Sequence, residues 1–181
     1  MTALQIVESL GQLTGKSVLM VGAAGGVGSF AMRLAAQAGA HVIAVARADA
    51  AERMRTYGAA ETVDQTAASV ADAVRETHPD GIDVLVDLAS DANGFATLAA
   101  LVRAGGTALT TRYFADTEAL ASHGVAGVNF RVVMSSEALE RLADLVVTGT
   151  IVVPPITLIR LDEVPTLSPN AHTDGKTVIT P

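Results

Sequence analysis

The chain has 181 residues, 50% of them hydrophobic and 17% charged, with a net charge of -7, a pI near 4.9 and a mean hydropathy of +0.41. That length suits one domain with a sizeable core, the composition is too apolar for disorder, and no run approaches the roughly 18 apolar residues of a membrane span. The acidic balance argues against nucleic-acid binding, and the absence of cysteine excludes disulfides, thiolate metal sites and a cysteine nucleophile.

An ordinary soluble domain carries about 25% charged residues, so the apolar excess is expected to lie on surface that packs against a partner domain or subunit. The opening Met1-Thr-Ala-Leu-Gln-Ile-Val-Glu8 has no basic segment and is not expected to be a secretory signal. A cytoplasmic protein is expected.

In chain order, a helix is expected over residues 2–13, ending near Gly15, then a buried strand at Ser17–Val21. Val27, Ala31, Leu34, Ala35 and Ala38 form a helical stripe closed by Gly39. His41–Ala46 reads as the second strand. Asp49 is placed to cap a short helix stopping at Gly58, and Glu61–Asp64 makes the third strand. A helix over residues 66–77 ends before Pro79, and residues 82–88 are apolar enough for a central parallel strand. Ser90 or Asp91 is the expected cap of a helix running to Arg103, with Gly105-Gly106 as its terminator. Strands follow at residues 107–111 and 128–133, and Ser135 is expected to cap a last helix reaching Thr148.

From Thr150 onward the character changes. Pro154, Pro155, Pro165, Pro169 and Pro181 are five of the chain's six prolines, and apolar runs at residues 151–153, 156–161 and 177–180 read as strands. The expected fold is therefore α/β: a Rossmann-type, doubly wound parallel sheet in three α/β/α layers, with an irregular proline-rich C-terminal strand segment. The expected division is residues 1–150 for the sheet domain and 151–181 for the extended segment.

The chemistry concentrates at Gly22-Ala-Ala-Gly-Gly-Val-Gly28, which follows a strand and opens a helix. In the spacing Ala23-x-Gly25-x-x-Gly28 an alanine replaces the usual first glycine. Gly25 lets the backbone approach a pyrophosphate, Gly28 lets helix and strand pack closely, and the helix start supplies amides and dipole. NAD-binding folds usually end the second strand with an acid that accepts from the ribose 2′-hydroxyl. Here the strand ends at Ala46 and is followed by Arg47. With no carboxylate expected there, a 2′-phosphate is tolerated and Arg47 is placed to pair with it, Arg53 or Arg55 being candidates for a second contact. NADP(H) is the expected cofactor.

Several segments together resemble a known family. Gly22–Gly28, Gln37-Ala-Gly-Ala-His-Val-Ile-Ala-Val45, Tyr57-Gly-Ala-Ala-Glu-Thr-Val-Asp64, Gly81-Ile-Asp-Val-Leu-Val-Asp87, Gly105-Gly106 and Gly175-Lys-Thr-Val-Ile179 are similar, in order, to the medium-chain dehydrogenase/reductase superfamily. The nearest branch is the zinc-independent quinone oxidoreductase (zeta-crystallin-like) group. The resemblance implies hydride transfer from NADPH to a quinone or another α,β-unsaturated carbonyl. It implies a pyrophosphate on Ala23, Ala24, Gly25, Gly26, Val27 and Gly28, and nicotinamide with its ribose against Leu88, Ala89, Ser90, Thr110, Thr111 and Arg112, with Phe130 as a ring wall. Gln65 stands where the family often has a cofactor-contacting tyrosine. The family's N-terminal substrate domain has no counterpart here, so this chain resembles the cofactor half of such an enzyme. The likeness also implies pairing through the edge of the sixth strand.

Other candidates are weaker. His41, His78, His123 and His172 show no metal-ligand spacing, so no metal is expected. Tyr57 and Tyr113 lack a lysine four residues on, and Ser29 lacks a histidine partner. Asp87, at a strand's carboxyl end, is expected to fix a loop. No catalytic residue is named. Two alternatives stay open: a non-catalytic nucleotide-binding or interaction module, and the enoyl reductase segment of a polyketide synthase.

Overall fold

The computed structural model describes residues 1–67, 69–149, 151, 156–166 and 176–181. Helix α1 (Thr2–Ser9) leads into β1 (Ser17–Val21), α2 (Gly28–Gln37), β2 (His41–Ala46), α3 (Ala51–Thr56) and β3 (Glu61–Asp64). There follow α4 (Val70–Thr77), β4 (Ile82–Asp87), α5 (Ala92–Ala99), β5 (Val102–Thr110), α6 (Thr117–Ser122), β6 (Ala126–Asn129) and α7 (Ser136–Val147). Strands β1 to β6 form one sheet in the order β3-β2-β1-β4-β5-β6, every pair parallel. The order reverses between β1 and β4.

Alternate residues along the central strands feed opposite faces, as the two-residue period of a strand demands. Val18, Met20, Val42, Ala44, Val84 and Val86 pack with α1, α2 and Met54 of α3, while Leu142, Leu145 and Val146 of α7 join that side. Leu19, Val21, Ile43, Val45 and Leu85 pack on the other face with Ala71 and Val74 of α4 and Phe95, Leu98 and Ala99 of α5. The result is the expected α/β/α sandwich, its strands covered on both faces as parallel strands require.

Element boundaries moved where glycines or caps intervened. Helix α1 stops six residues before Gly15 because Gly11 already turns the chain at φ +68°, its amide reaching back to Glu8. Asp49 is no cap; it sits inside a 3-10 turn (Ala48–Ala50) that has no side-chain cap. Ser69 caps α4 by accepting from the Asp72 amide, Asp91 caps α5 through the Gly94 amide, and Ser135 caps α7 as expected.

The largest correction concerns Gly105-Gly106. Helix α5 ends at Ala99, and both glycines lie within β5. A Cβ on Gly106 would stand 2.4 Å from the Asp83 carbonyl oxygen, and the β4–β5 register shifts between Ile82 and Val84. Gly106 serves an irregular close approach of two strands and Gly105 supplies a φ of +82° beside it, so neither ends a helix. Strand β6 spans Ala126–Asn129, earlier than expected, and α6 was not foreseen.

In the C-terminal segment, β7 (Ile156–Arg160) and β8 (Lys176–Thr180) form a separate two-stranded parallel sheet. The apolar run at residues 151–153 lies mostly outside the described residues, but Ile151 is buried in the α1/α2-side core and its amide donates to the Leu145 carbonyl. The apolar excess does reach the surface: Val133, Met134, Leu139, Val147, Ile156 and Leu158 are exposed.

Candidate functional site

At the end of β1, Gly22 turns the chain at φ +79°, and its carbonyl accepts from the Gly25 amide at 3.0 Å. A Cβ on Gly22 would stand 3.2 Å from the Ala89 Cβ and 3.4 Å from the Leu88 Cβ. The loops after β1 and β4 therefore meet over this glycine, at the point where strand order reverses. In open α/β sheets that crevice is where ligands bind. Gly22 opens the turn, where a glycine directly after an apolar strand supplies the positive φ.

Ala24, Gly25 and Gly26 are exposed, whereas Ala23, Gly28 and Ser29 are buried. Helix α2 has no side-chain cap and no acidic residue in its first turn. Its leading amides and the positive end of its dipole thus face the crevice without an internal anion. Ala23 is wholly enclosed and offers only its backbone.

Arg47 follows β2 in extended conformation, with an exposed side chain whose Nε lies 3.5 Å from Asp49 Oδ1. The β2–β3 register sets Ala46 beside Asp64. This corrects the expectation that no carboxylate stands here: Asp49 and Asp64 both neighbour Arg47. Asp64 accepts from the Thr66 amide at 2.8 Å and the Thr66 hydroxyl at 2.7 Å. Those bonds, with the Arg47 charge behind them, hold its carboxyl below the usual aspartate range. The Gln65 amide donates to the Ala46 carbonyl at 3.3 Å, so Gln65 does lie at this corner. Arg53 is half-buried on α3, and Arg55 reaches Glu52 and the Thr62 hydroxyl at 3.2 Å.

Asp87 closes β4 and is 1% exposed. Its Oδ1 accepts from the amides of Ala89 (3.0 Å) and Ser90 (2.9 Å), while Oδ2 has no hydrogen-bond partner among the described residues. Asp87 therefore fixes the loop 88–90, as expected of an acid at a strand's carboxyl end. Thr110 is buried at the end of β5 and accepts from the Arg112 amide; Arg112 Nη1 donates to the Ala89 carbonyl at 3.0 Å. The Thr111 amide reaches the Asp87 carbonyl, and the Phe130 amide reaches that of Thr110 at 2.8 Å. Residues 88–90, 110–112 and 130 thus form one hydrogen-bonded rim beside the glycine turn. Tyr113, on the same rim, holds φ +62°, the one positive value among the described non-glycine residues. Such conformations cost about 1–3 kcal/mol and cluster at working sites, but no sequence signal announces them.

His41 and His78, which show no metal-ligand spacing along the chain, converge on Glu61 at the end of the sheet opposite the crevice, while His172 lies outside the described residues.

Comparison with known proteins agrees with this geometry. Residues 26–136 match the family described as zinc-binding dehydrogenase. The human protein named NAD(P)H oxidoreductase RTN4IP1, mitochondrial, is 37% identical over 92 residues, covering 48% of this chain and 23% of its own length. A quinone oxidoreductase from Coxiella burnetii superimposes with a TM-score of 0.84 at 23% identity, over 98% of this chain and 56% of that one. A protein described as a zinc-binding dehydrogenase, from Sinorhizobium meliloti 1021 and bound to NADP, gives 0.82 at 27% identity, over 99% of this chain and 56% of that one. The chain spans well under two thirds of each of these relatives. Among the described residues no helix is long and apolar enough to cross a membrane. A turn of small residues over an uncapped helix start, at the reversal of a six-stranded parallel sheet, is thus the NAD(P)-binding domain of an oxidoreductase: the chain belongs to the zinc-binding dehydrogenase family of the medium-chain dehydrogenase/reductase superfamily.

Proposed function

We propose that this chain binds NADP(H) and presents it for hydride transfer to a quinone or another α,β-unsaturated carbonyl. The observation that carries the reading is the open glycine turn at the β1/β4 reversal. A diphosphate fits there because the exposed positions 24–26 carry no side chain beyond a methyl group and no side chain caps α2. Arg47, with Gln65 beside it, would hold the 2′-phosphate. The rim of Leu88, Ala89, Ser90, Thr110, Thr111, Arg112 and Phe130 would orient the nicotinamide ribose and shield it from water. Bound NADPH supplies the hydride; these residues supply position, which is the protein's main contribution in cofactor chemistry.

The exposed apolar residues of α7, β7 and the 133–134 stretch support packing against a substrate-binding domain, with residues 1–150 as the cofactor domain and 151–181 as the segment that meets it. The β6 edge would serve a homodimer, and a cytoplasmic setting completes the reading.

A fluorescence titration of wild type and Arg47→Ala with NADPH and NADH tests the assignment. A phosphate–arginine contact contributes about 1.5–3 kcal/mol, so the substitution should weaken NADPH roughly ten- to hundredfold and leave NADH unchanged. Equal affinity for both nucleotides in wild type, unaltered by the substitution, would remove NADP(H). Binding of neither nucleotide would remove the site.

A further inference from the structure

A second constellation stands at the N-terminal edge of the sheet. His41 opens β2, Glu61 opens β3, and His78 caps the C-terminal end of α4 in the turn that leads to β4. One ligand atom from each lies within 4.8 Å of the other two. His41 Nε2 is 2.5 Å from Glu61 Oε1, and His78 Nε2 is 3.2 Å from the same oxygen. The two rings meet edge-on, with centroids 6.0 Å apart at 62°. All three Nε2 and carboxylate atoms therefore point at one small volume.

We propose that His41, Glu61 and His78 form a binding site for a divalent transition-metal ion, zinc by its ligand chemistry, with water completing the coordination. Two imidazoles and one carboxylate are a borderline donor set that suits zinc and its neighbours. Calcium and magnesium prefer all-oxygen shells, and copper(I) prefers sulfur. Zinc holds such ligands at about 2.0–2.2 Å, which sets neighbouring ligand atoms roughly 3.3 Å apart in a tetrahedron. The His78–Glu61 separation of 3.2 Å already matches that spacing. The His41–Glu61 pair has to open by less than about 1 Å. It can do so because the His41 side chain is 46% exposed and that of Glu61 32%.

The backbones beneath the ligands are held. The His41 amide donates to the Lys16 carbonyl at 2.8 Å, and the His78 amide to that of Val74 at 2.7 Å. Ala60, next to Glu61, donates to Val42. Only side-chain rotation is then needed to admit an ion, so little ordering entropy opposes binding.

The six residues of β2 separate this cluster from the nucleotide crevice by roughly 16–20 Å. A metal here would not polarise a substrate in that crevice. It would clamp the starts of β2 and β3 to the end of α4, in place of the side-chain bonds that Glu61 makes with the two imidazoles.

The test is calorimetric titration of the tag-free, chelator-dialysed chain with zinc chloride, repeated on His41→Ala, Glu61→Gln, His78→Ala and the control His123→Ala. The visible absorption of bound cobalt(II) gives a second readout of coordination. Wild type and His123→Ala should take up one equivalent and melt at higher temperature as zinc rises. Each ligand variant should lose at least about tenfold in affinity, since even removing a group that only hydrogen-bonds a metal ligand costs roughly 10–100-fold. His78 is the most enclosed of the three, so if its variant misfolds by circular dichroism, His41→Ala and Glu61→Gln decide the matter. Absence of saturable zinc binding would overturn the proposal and leave the cluster a hydrogen-bonded clasp. Equal affinity in wild type and His41→Ala would overturn it too.

Discussion

A Cβ placed on Gly28 would lie 2.1 Å from the carbonyl oxygen of Gly22. The same atom would be 2.9 Å from the Ala23 Cα, so the obstruction is backbone on every side and no side chain can swing away to relieve it. Helix α2 starts in direct contact with the turn that follows β1, and that closeness is what sets its leading amides over the crevice. Gly28→Ala should therefore cost about 1–3 kcal/mol as an overpacked site. It should also weaken nucleotide binding by more than its stability loss explains, because α2 must slide outward. Gly26→Ala, at an exposed position of the same turn, is the comparison. Chemical denaturation and nucleotide titration on both variants check this; equal behaviour of the two would refute the role given to Gly28.

Arg47 has acidic company, and that company opposes an anion. Asp64 is tied to Thr66, whereas Asp49 shares Arg47 at 3.5 Å and is largely exposed. Asp49→Asn should thus release Arg47 and strengthen NADPH binding a fewfold, an exposed ion pair being worth roughly 0.2–1 kcal/mol. The gain should shrink at high salt. A weakened NADPH affinity in Asp49→Asn would mean that the carboxylate orients Arg47 rather than competing for it.

Asp87 spends one oxygen on two amides and keeps the other buried without a hydrogen-bond partner among the described residues. Asp87→Ala removes the acceptor for the Ala89 and Ser90 amides, which should cost about 1–3 kcal/mol. Loop 88–90 should then loosen, read as faster amide hydrogen exchange confined to that loop and the Arg112 side that binds Ala89. Unchanged exchange there would show the loop to be held by packing on Gly22 alone.

Asp83 supplies a pH dependence. Burial raises its carboxyl, but the Ser17 amide and hydroxyl, and then the Arg103 guanidinium, outweigh that and depress it below the usual aspartate range. A depressed folded-state value contributes stability above the unfolded pKa, near 3.9, and that contribution drains away as pH falls below it toward the folded value. Asp83→Asn should be less stable than wild type by about 1–3 kcal/mol near neutral pH, with the gap narrowing below roughly pH 4. Urea unfolding from about pH 3 to about pH 7, spanning the unfolded aspartate pKa, checks this. Parallel curves for the two proteins would exclude Asp83 as the source.

Much of the architecture was legible along the chain because parallel strands are buried on both faces and read as continuous apolar runs. The runs at residues 17–21 and 41–46 coincide with β1 and β2. The glycine turn was equally plain, since strand, small residues and helical stripe follow one another without interruption. Illegible were features that depend on a neighbour distant in the chain. Gly105 and Gly106 looked like a helix stop until the Asp83 carbonyl was seen against Gly106. The end of β2 looked free of acids until the register with β3 brought Asp64 alongside.

Local order therefore dictated the layers of this fold and the place of its nucleotide turn, because periodicity, caps and glycine freedom act within a few residues. The convergence of His41, Glu61 and His78, twenty and seventeen residues apart along the chain, came only from assembly. Parallel strands must be joined by crossovers, so the starts of successive strands lie side by side in space whatever their distance in sequence, and no ligand spacing along the chain records it.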